Sequence, residues 1–340
     1  MHAHACIHPA RLILAGAVSV AAPASAQSDF ASRVVDYAPA QGQFVNDPDF
    51  NDPTRALGAP AGGGTINADL SSLVSLGGFG GSITLAFDSL VENHPDNPLG
   101  LDFIVFGNAF HLTGNENRRW AEAGLVEIAY DANANGLADD TWYTIPGSAL
   151  TPPISLPLPP AFNGPVLENH TGTSAESHWG YADLSPTLLL GDTNADNVVD
   201  DSDADPAAFY TVPDDPMTVG VDPGSGGGDA FDIDWAIDPT TGDPANLPGF
   251  HFIRITTAVD HTTAIFGENS PEIDAVADVR PISICLPDVN NDGSLTPADF
   301  SAWVAAFNTQ SPAADQNRDG HITPADFSAW VANYNAGCDT

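Results

Sequence analysis

The sequence predicts a mainly β protein, a large antiparallel β-sandwich followed by a small domain of two helices. Short runs of β-branched and aromatic residues recur through residues 27–281, where helix-period patterns are nearly absent. Gly, Pro, Asn and Asp separate those runs, as turn residues do. Past residue 285, two near-identical stretches each pass from an acidic loop into a helical pattern: Asp288-Val-Asn-Asn-Asp-Gly-Ser-Leu-Thr-Pro-Ala-Asp-Phe-Ser-Ala-Trp-Val, then Asp315-Gln-Asn-Arg-Asp-Gly-His-Ile-Thr-Pro-Ala-Asp-Phe-Ser-Ala-Trp-Val.

In chain order, residues 1–26 read as a signal peptide. Arg11 precedes an apolar run too short to span a bilayer, and Ala24-Ser25-Ala26 gives the small-residue cleavage pattern, with cleavage expected after Ala26. No later segment is long and apolar enough to be a membrane span, so the expectation is a secreted protein, extracellular or on the cell surface. The chain has no Lys, eight Arg and 45 acids, most of them Asp, for a formal charge of −37. Repulsion at that charge argues against nucleic acid and anionic membranes as partners.

Within 27–281, strands are expected at 82–87, 101–106, 124–130, 142–145, 230–236 and 250–257. Turns are expected at 77–81 (Gly-Gly-Phe-Gly-Gly) and at Asn135-Gly136. The Pro-rich stretch 152–165 and the Asp-, Pro- and Gly-rich stretch 213–229 read as long loops.

The acidic loops carry calcium chemistry. Calcium takes six to eight oxygen ligands, and a 12-residue loop offers them at positions 1, 3, 5, 7, 9 and 12, with Gly at 6 for the turn. The first copy supplies Asp288, Asn290, Asp292, the carbonyl of Ser294, Thr296 and Asp299, with Gly293 at the turn. The second supplies Asp315, Asn317, Asp319, the carbonyl of His321, Thr323 and Asp326, with Gly320 at the turn. Both end on Asp, whose shorter side chain reaches less readily for bidentate coordination than Glu. Behind each loop, Phe300, Trp303, Val304 and Phe307, then Phe327, Trp330, Val331 and Tyr334, fall on one helical face and are expected to form the shared core. No helical pattern precedes either loop.

Two further candidates lie in the β region. Asp131, Asn133, Asn135, the carbonyl of Leu137, and Asp139 or Asp140 would pin a hairpin loop. Asp192, Asn194, Asp196, the carbonyl of Val198, Asp200 and Asp203 repeat the spacing with Asn in place of the turn Gly. Each also reads as an acidic solvated turn. Cys6 would leave with the signal peptide. Cys285 and Cys338 would then bracket the repeats, and in an oxidising compartment one disulfide is their simplest state, contributing ~4 kcal/mol by chain entropy. Two free thiols are the alternative.

On the repeated loops and the closing Gly337-Cys338, residues 285–340 resemble a dockerin of the short bacterial type, with EF-hand-like calcium loops. The resemblance implies two Ca²⁺ ions, pseudo-twofold symmetry, and docking to a cohesin-like or cell-surface anchoring protein. It also places partner contacts at loop positions 10 and 11, here Pro297-Ala298 and Pro324-Ala325, in place of the usual hydroxyl-bearing pair. In the β region, Phe103-Ile-Val-Phe-Gly-Asn-Ala-Phe, Gly124-Leu-Val-Glu-Ile-Ala-Tyr-Asp and Phe231-Asp-Ile-Asp-Trp-Ala-Ile-Asp resemble a family of bacterial cell-surface proteins. That likeness implies a jelly-roll or discoidin-like sandwich and assigns no activity.

No nucleophile elbow, zinc-protease helix or phosphate loop occurs. Among so many acids no catalytic pair stands out; Glu122, Glu127, Glu268 and Glu272 are equivalent on sequence, and catalytic residues are unassigned. Trp120, Trp142, Trp179 and Trp235 could stack on sugar rings or fill the core. The resulting expectation is a secreted calcium-binding protein, held by its C-terminal module on a cell surface or in a multi-protein, cellulosome-like assembly. Its sandwich would be a non-catalytic binding module in polysaccharide degradation. The alternatives are that the sandwich is a polysaccharide hydrolase or lyase, or a structural surface-layer component.

Overall fold

The computed structural model describes residues 28–146 except 71, 117 and 118; 162–163; 166–167; 180–190; 209–257 except 217 and 219; 260; 262–263; 267–281; 285–290; 294–317; and 321–338. The signal peptide and the 192–203 candidate loop lie outside these residues. So do Trp179 and positions 5 and 6 of both C-terminal loops (Asp292 and Gly293, Asp319 and Gly320). In the described part, the protein is built mainly of antiparallel strands with two α-helices.

The strands are β1 (Arg33–Ala38), β2 (Val74–Ser75), β3 (Ser82–Glu92), β4 (Phe103–Gly107), β5 (Phe110–His111), β6 (Arg119–Trp120), β7 (Gly124–Ala129) and β8 (Trp142–Ile145), followed by β9 (Phe162–Asn163), β10 (Val166–Leu167), β11 (Tyr181–Ala182), β12 (Asp229–Phe231), β13 (Gly249–Thr257), β14 (Thr262–Thr263), β15 (Gly267–Glu268) and β16 (Glu272–Asp278). One sheet runs β1-β3-β13-β7-β11 with β8 on β7; another runs β12-β4-β16-β2; β5, β6, β10 and β9 form a small third sheet, and β14 pairs with β15.

Alternation decides what each strand buries. Register places Leu85 opposite Ile253 and Ile83 opposite Ile255, and sets Ile253 and Ile255 opposite Ile128 and Val126. These side chains share one core with Phe103 and Val105 of β4, Ile273 and Val276 of β16, and Phe231 of β12, so the apolar faces of the two larger sheets meet. Each such fully buried side chain contributes ~1.5–3 kcal/mol. The second sheet is buried on its other face as well: Ile104, Phe106, Ala275 and Ala277 pack with Phe209 and Tyr210.

The stretch 230–236 is not one strand. It leaves the sheet after Phe231 and closes a 3-10 turn, Ile233–Trp235, because Asp232 accepts a bond from the Asp234 amide at 2.7 Å. The alternating Asp residues imitated a strand pattern while capping a turn. Similarly, β4 starts at Phe103, since the Asp102 carboxylate gathers the amides of His94 (3.1 Å) and Ile233 (2.9 Å).

The two helices, Pro297–Asn308 and Pro324–Ala336, each open with Pro in the first turn and a complete capping box, Thr296 with Asp299 and Thr323 with Asp326. Trp303 and Trp330 form the centre of a small core with Ala314. The indole of Trp303 donates to the Ala314 carbonyl (3.2 Å), just before the second loop; that of Trp330 donates to the Pro287 carbonyl (3.3 Å), just before the first. The expected shared stripe is only partly buried. Phe300, Val304, Phe327 and Val331 stay 37–44% exposed, because the two indoles already fill the space between helices this short. A 3-10 turn, Pro312–Ala314, precedes the second loop. Cys285 and Cys338 lie at disulfide distance, with Cα atoms 5.0 Å apart.

Candidate functional site

A cavity of about 180 Å³ opens where several segments of the β region converge. The turn after β4 brings Asn108 and Ala109, β5 brings Phe110, β6 brings Trp120, and the link from β6 to β7 brings Glu122; Asp183 follows β11, and Glu272 begins β16. Gln43, Phe44 and Phe50, from the loop after β1, close one side, with Phe44 stacked on Phe50 at 4.8 Å. Phe110 and Trp120 are cross-strand partners in the small third sheet, which explains why two rings stand together on the wall.

Three carboxyl groups lie at this cavity, and all are buried: Asp183 is 1%, Glu122 3% and Glu272 5% exposed. Asp183 holds the site together. Its Oδ1 accepts from the amides of Asn108 (2.6 Å) and Ala109 (2.9 Å), and its Oδ2 from the amide of Glu272 (3.1 Å). Its carbonyl also accepts the amide of Glu122 at 3.1 Å. The backbone here is left-handed, with φ 61°, and a Cβ on the adjoining Gly107 would collide with the carboxylate.

Glu122 accepts from Gln43 Nε2 at 2.6 Å and from the Ser270 amide. Glu272 is less well served. Its Oε2 has a long bond from Asn108 Nδ2 (3.4 Å), and its Oε1 has no partner. Burial pushes the Glu272 carboxyl up to about 8. Burial first, then the Glu272 charge, holds Glu122 and Asp183 well above the usual carboxylate range. Among the described residues, no Lys, Arg or His lines the cavity. The site therefore pairs buried carboxyl groups with aromatic walls, which suits a small polar ligand with an apolar face.

Beside it, Arg119 is buried and donates to the Leu184 carbonyl (2.9 Å) and Ser185 Oγ (3.2 Å), with the charges of Asp229 and Asp214 acting on it. Through Nη1 this group fixes β6 to the segment after β11, while its Nε has no partner among the described residues. Glu127, whose facing the sequence leaves open, pairs with Arg254 at 2.7 Å; Arg254 in turn lies 4.4 Å from the centre of the Trp142 ring. Glu268 is exposed on β15. His94 Nδ1 accepts from the Asp96 amide (3.1 Å) and His251 Nδ1 from the Asp131 amide (3.3 Å). Of the acids that looked alike in sequence, Glu122 and Glu272 are thus brought together and the others are not. Asp183 was not singled out, because nothing local marks an aspartate that accepts three distant amides.

In the C-terminal loops, the position-12 aspartates tie each loop to the start of its helix. Asp299 is buried and accepts from the amides of Thr296 (2.8 Å) and Asn290 (3.4 Å), and its carboxyl lies within hydrogen-bond reach of that of Asp288. Asp326 accepts from Thr323 (2.7 Å), Gln316 (3.0 Å) and Asn317 (3.4 Å). In each copy, position 12 thus binds the backbone amides of positions 3 and 9, and in the first, the carboxyls of Asp288 and Asp299 lie together. This donor set fits a calcium ion. The Asp131 loop joins β7 to β8, as expected. There Asp131 accepts from the amides of Asn135 (3.1 Å) and Gly136 (2.7 Å), and Asn135 Nδ2 donates to Asp139 at 3.2 Å. Among the described residues, no three His, Cys, Asp or Glu side chains converge as a metal group. No protein-family model matches the chain, and no curated protein matches it.

Proposed function

We propose that this chain is an exported, anchored sugar-binding protein. Its β region is a jelly-roll or discoidin-like sandwich that holds one sugar unit without cleaving it. Its C-terminal segment is a dockerin-like calcium module that attaches it to a cohesin-like or cell-surface partner, in polysaccharide degradation. The carrying observation is the cavity of Glu122, Asp183 and Glu272 with the Phe110 and Trp120 rings on its wall. A sugar offers hydroxyl donors to buried acceptors and C–H faces to aromatic rings, and about 180 Å³ suits one unit. In the C-terminal loops, Asp288, Asn290, Thr296 and Asp299, with their counterparts Asp315, Asn317, Thr323 and Asp326, would hold Ca²⁺; the ion would supply folding energy.

Titrating the full chain with a glycan panel, while assaying for new reducing ends, tests the binding reading. Saturable binding without turnover supports it. A second reading, glycoside hydrolysis, is favoured by two buried carboxyls, Glu122 and Glu272, lining one cavity with their protonated forms stabilised, as a general acid requires. Release of reducing ends that Glu272→Gln abolishes would establish that reading instead. Anchoring is tested by surface retention of the full chain with and without EGTA; retention insensitive to chelation would remove calcium from the attachment.

A further inference from the structure

The cavity also indicates which sugar it takes. Its acid–base lining is one-sided: among the described residues it carries three carboxyl groups and no basic side chain. The bonding within it is uneven. Asp183 is saturated by three amides, and Glu122 is held by Gln43 and the Ser270 amide. Glu272 is the exception: 5% exposed, at the cavity wall, with Oε1 unpartnered. Leaving a buried carboxyl oxygen unpaired is costly, and burial by itself keeps Glu272 protonated. A hydroxyl group would satisfy that oxygen and leave the carboxyl neutral. An ammonium group both donates to it and stabilises its ionised form, the carboxyl proton passing to solvent, and the aromatic rings nearby add cation–π attraction.

We propose that the ligand is an amino sugar with a free primary amine, its ammonium directed at Glu272 Oε1 and its ring laid against the Phe110 and Trp120 side of the cavity. This rests on the sugar-binding reading and narrows it. Glu272 is the specificity-determining residue, and Glu122 lines the same cavity. The same amine could come from a free monosaccharide or from the end unit of a glucosamine polymer. A bare metal ion is the poorer occupant, because Gln43 and Asn108 turn amide N–H groups, not oxygens, toward the carboxyls.

Isothermal titration of the full chain at neutral pH with glucosamine, N-acetylglucosamine, glucose and glucuronate tests this. Glucosamine should bind at least ~10-fold more tightly than glucose or the N-acetyl form, the ratio expected when a charge-assisted bond replaces a neutral one, and glucuronate should not bind. A glucosamine oligomer binding one per chain assigns the site to chain ends; an oligomer that fails where the monosaccharide binds assigns it to the free sugar. In Glu272→Gln, with folding checked by its melting curve, the preference for glucosamine over glucose should fall to within ~2-fold. Equal binding of glucose and glucosamine by the unaltered chain overturns the proposal and leaves the sugar-binding reading standing. Failure of every sugar defeats both. Displacement of glucosamine by millimolar Ca²⁺ would also overturn it.

Discussion

Asp183 sits at φ 61°, a backbone region that non-glycine residues rarely occupy, and it stays there because its carboxylate binds three amides from two other segments. Its neighbour Gly107 leaves room for that carboxylate. Gly107→Ala should therefore destabilise the β region by ~1–3 kcal/mol, read as a lower denaturant midpoint; an unchanged midpoint would mean that Asp183 can move aside freely. The buried acids make a second prediction. Burial raises Glu272 to about 8, and Asp229 and Asp274 to about 7, so the folded chain binds protons that the unfolded chain has released. The stability these groups contribute is complete below the ordinary carboxylate range and is lost as pH rises through about 7 to 8. In chelator, the melting temperature should fall from pH 5.5 to 8.5, and Glu272→Gln should flatten that fall; a melting temperature that climbs over this range would contradict the assignment. At this scale little was legible in sequence. Glu122, Glu268 and Glu272 differ in burial, which depends on packing between distant segments and leaves no local pattern.

Elements were more readable, for reasons that can be named. The strands β3, β7, β8 and β13 follow runs of β-branched and aromatic residues, and the two helices follow Thr-Pro-Ala-Asp, whose capping box and N-terminal Pro are local chemistry. β16 is not among the expected strands, because acids at Glu272, Asp274 and Asp278 break its apolar run, yet Asp274 is buried and accepts the amides of Ala61 (3.0 Å) and Gly62 (2.8 Å). In the helices, the stripe of Phe, Trp and Val residues was correct as a face, but its spacing could not say which rings the narrow core would admit. The indoles carry that core, so Trp303→Ala should cost ~3–5 kcal/mol and unfold the C-terminal segment first. Phe300→Ala, on a ring already 40% exposed, should cost much less. Near-ultraviolet circular dichroism of the two variants separates them, and equal losses would place the core elsewhere.

For the whole molecule, charge is the dominant fact: −37 in formal units, with no Lys to offset it. Self-repulsion on that scale opposes compaction and is screened by salt. In chelator, raising NaCl from 20 to 500 mM should raise the melting temperature by several degrees, and no change would show that the acids are neutralised within the fold. The sign of the charge could be read directly from composition. The ligand could not, because the cavity combines residues from Gln43 to Glu272 that share no motif.

The crossed indole bonds of the C-terminal segment bear on how it would take up calcium. Trp303 holds the carbonyl before the second loop while Trp330 holds the carbonyl before the first, so neither loop can be ordered without seating the helix that belongs to the other. As the proposed calcium sites, two such loops would not fill independently. The first ion would meet most of the ordering cost and the second would bind to a frame already set, so the isotherm should be sigmoidal, with a Hill coefficient above ~1.3, and Trp330→Phe should return it toward ~1.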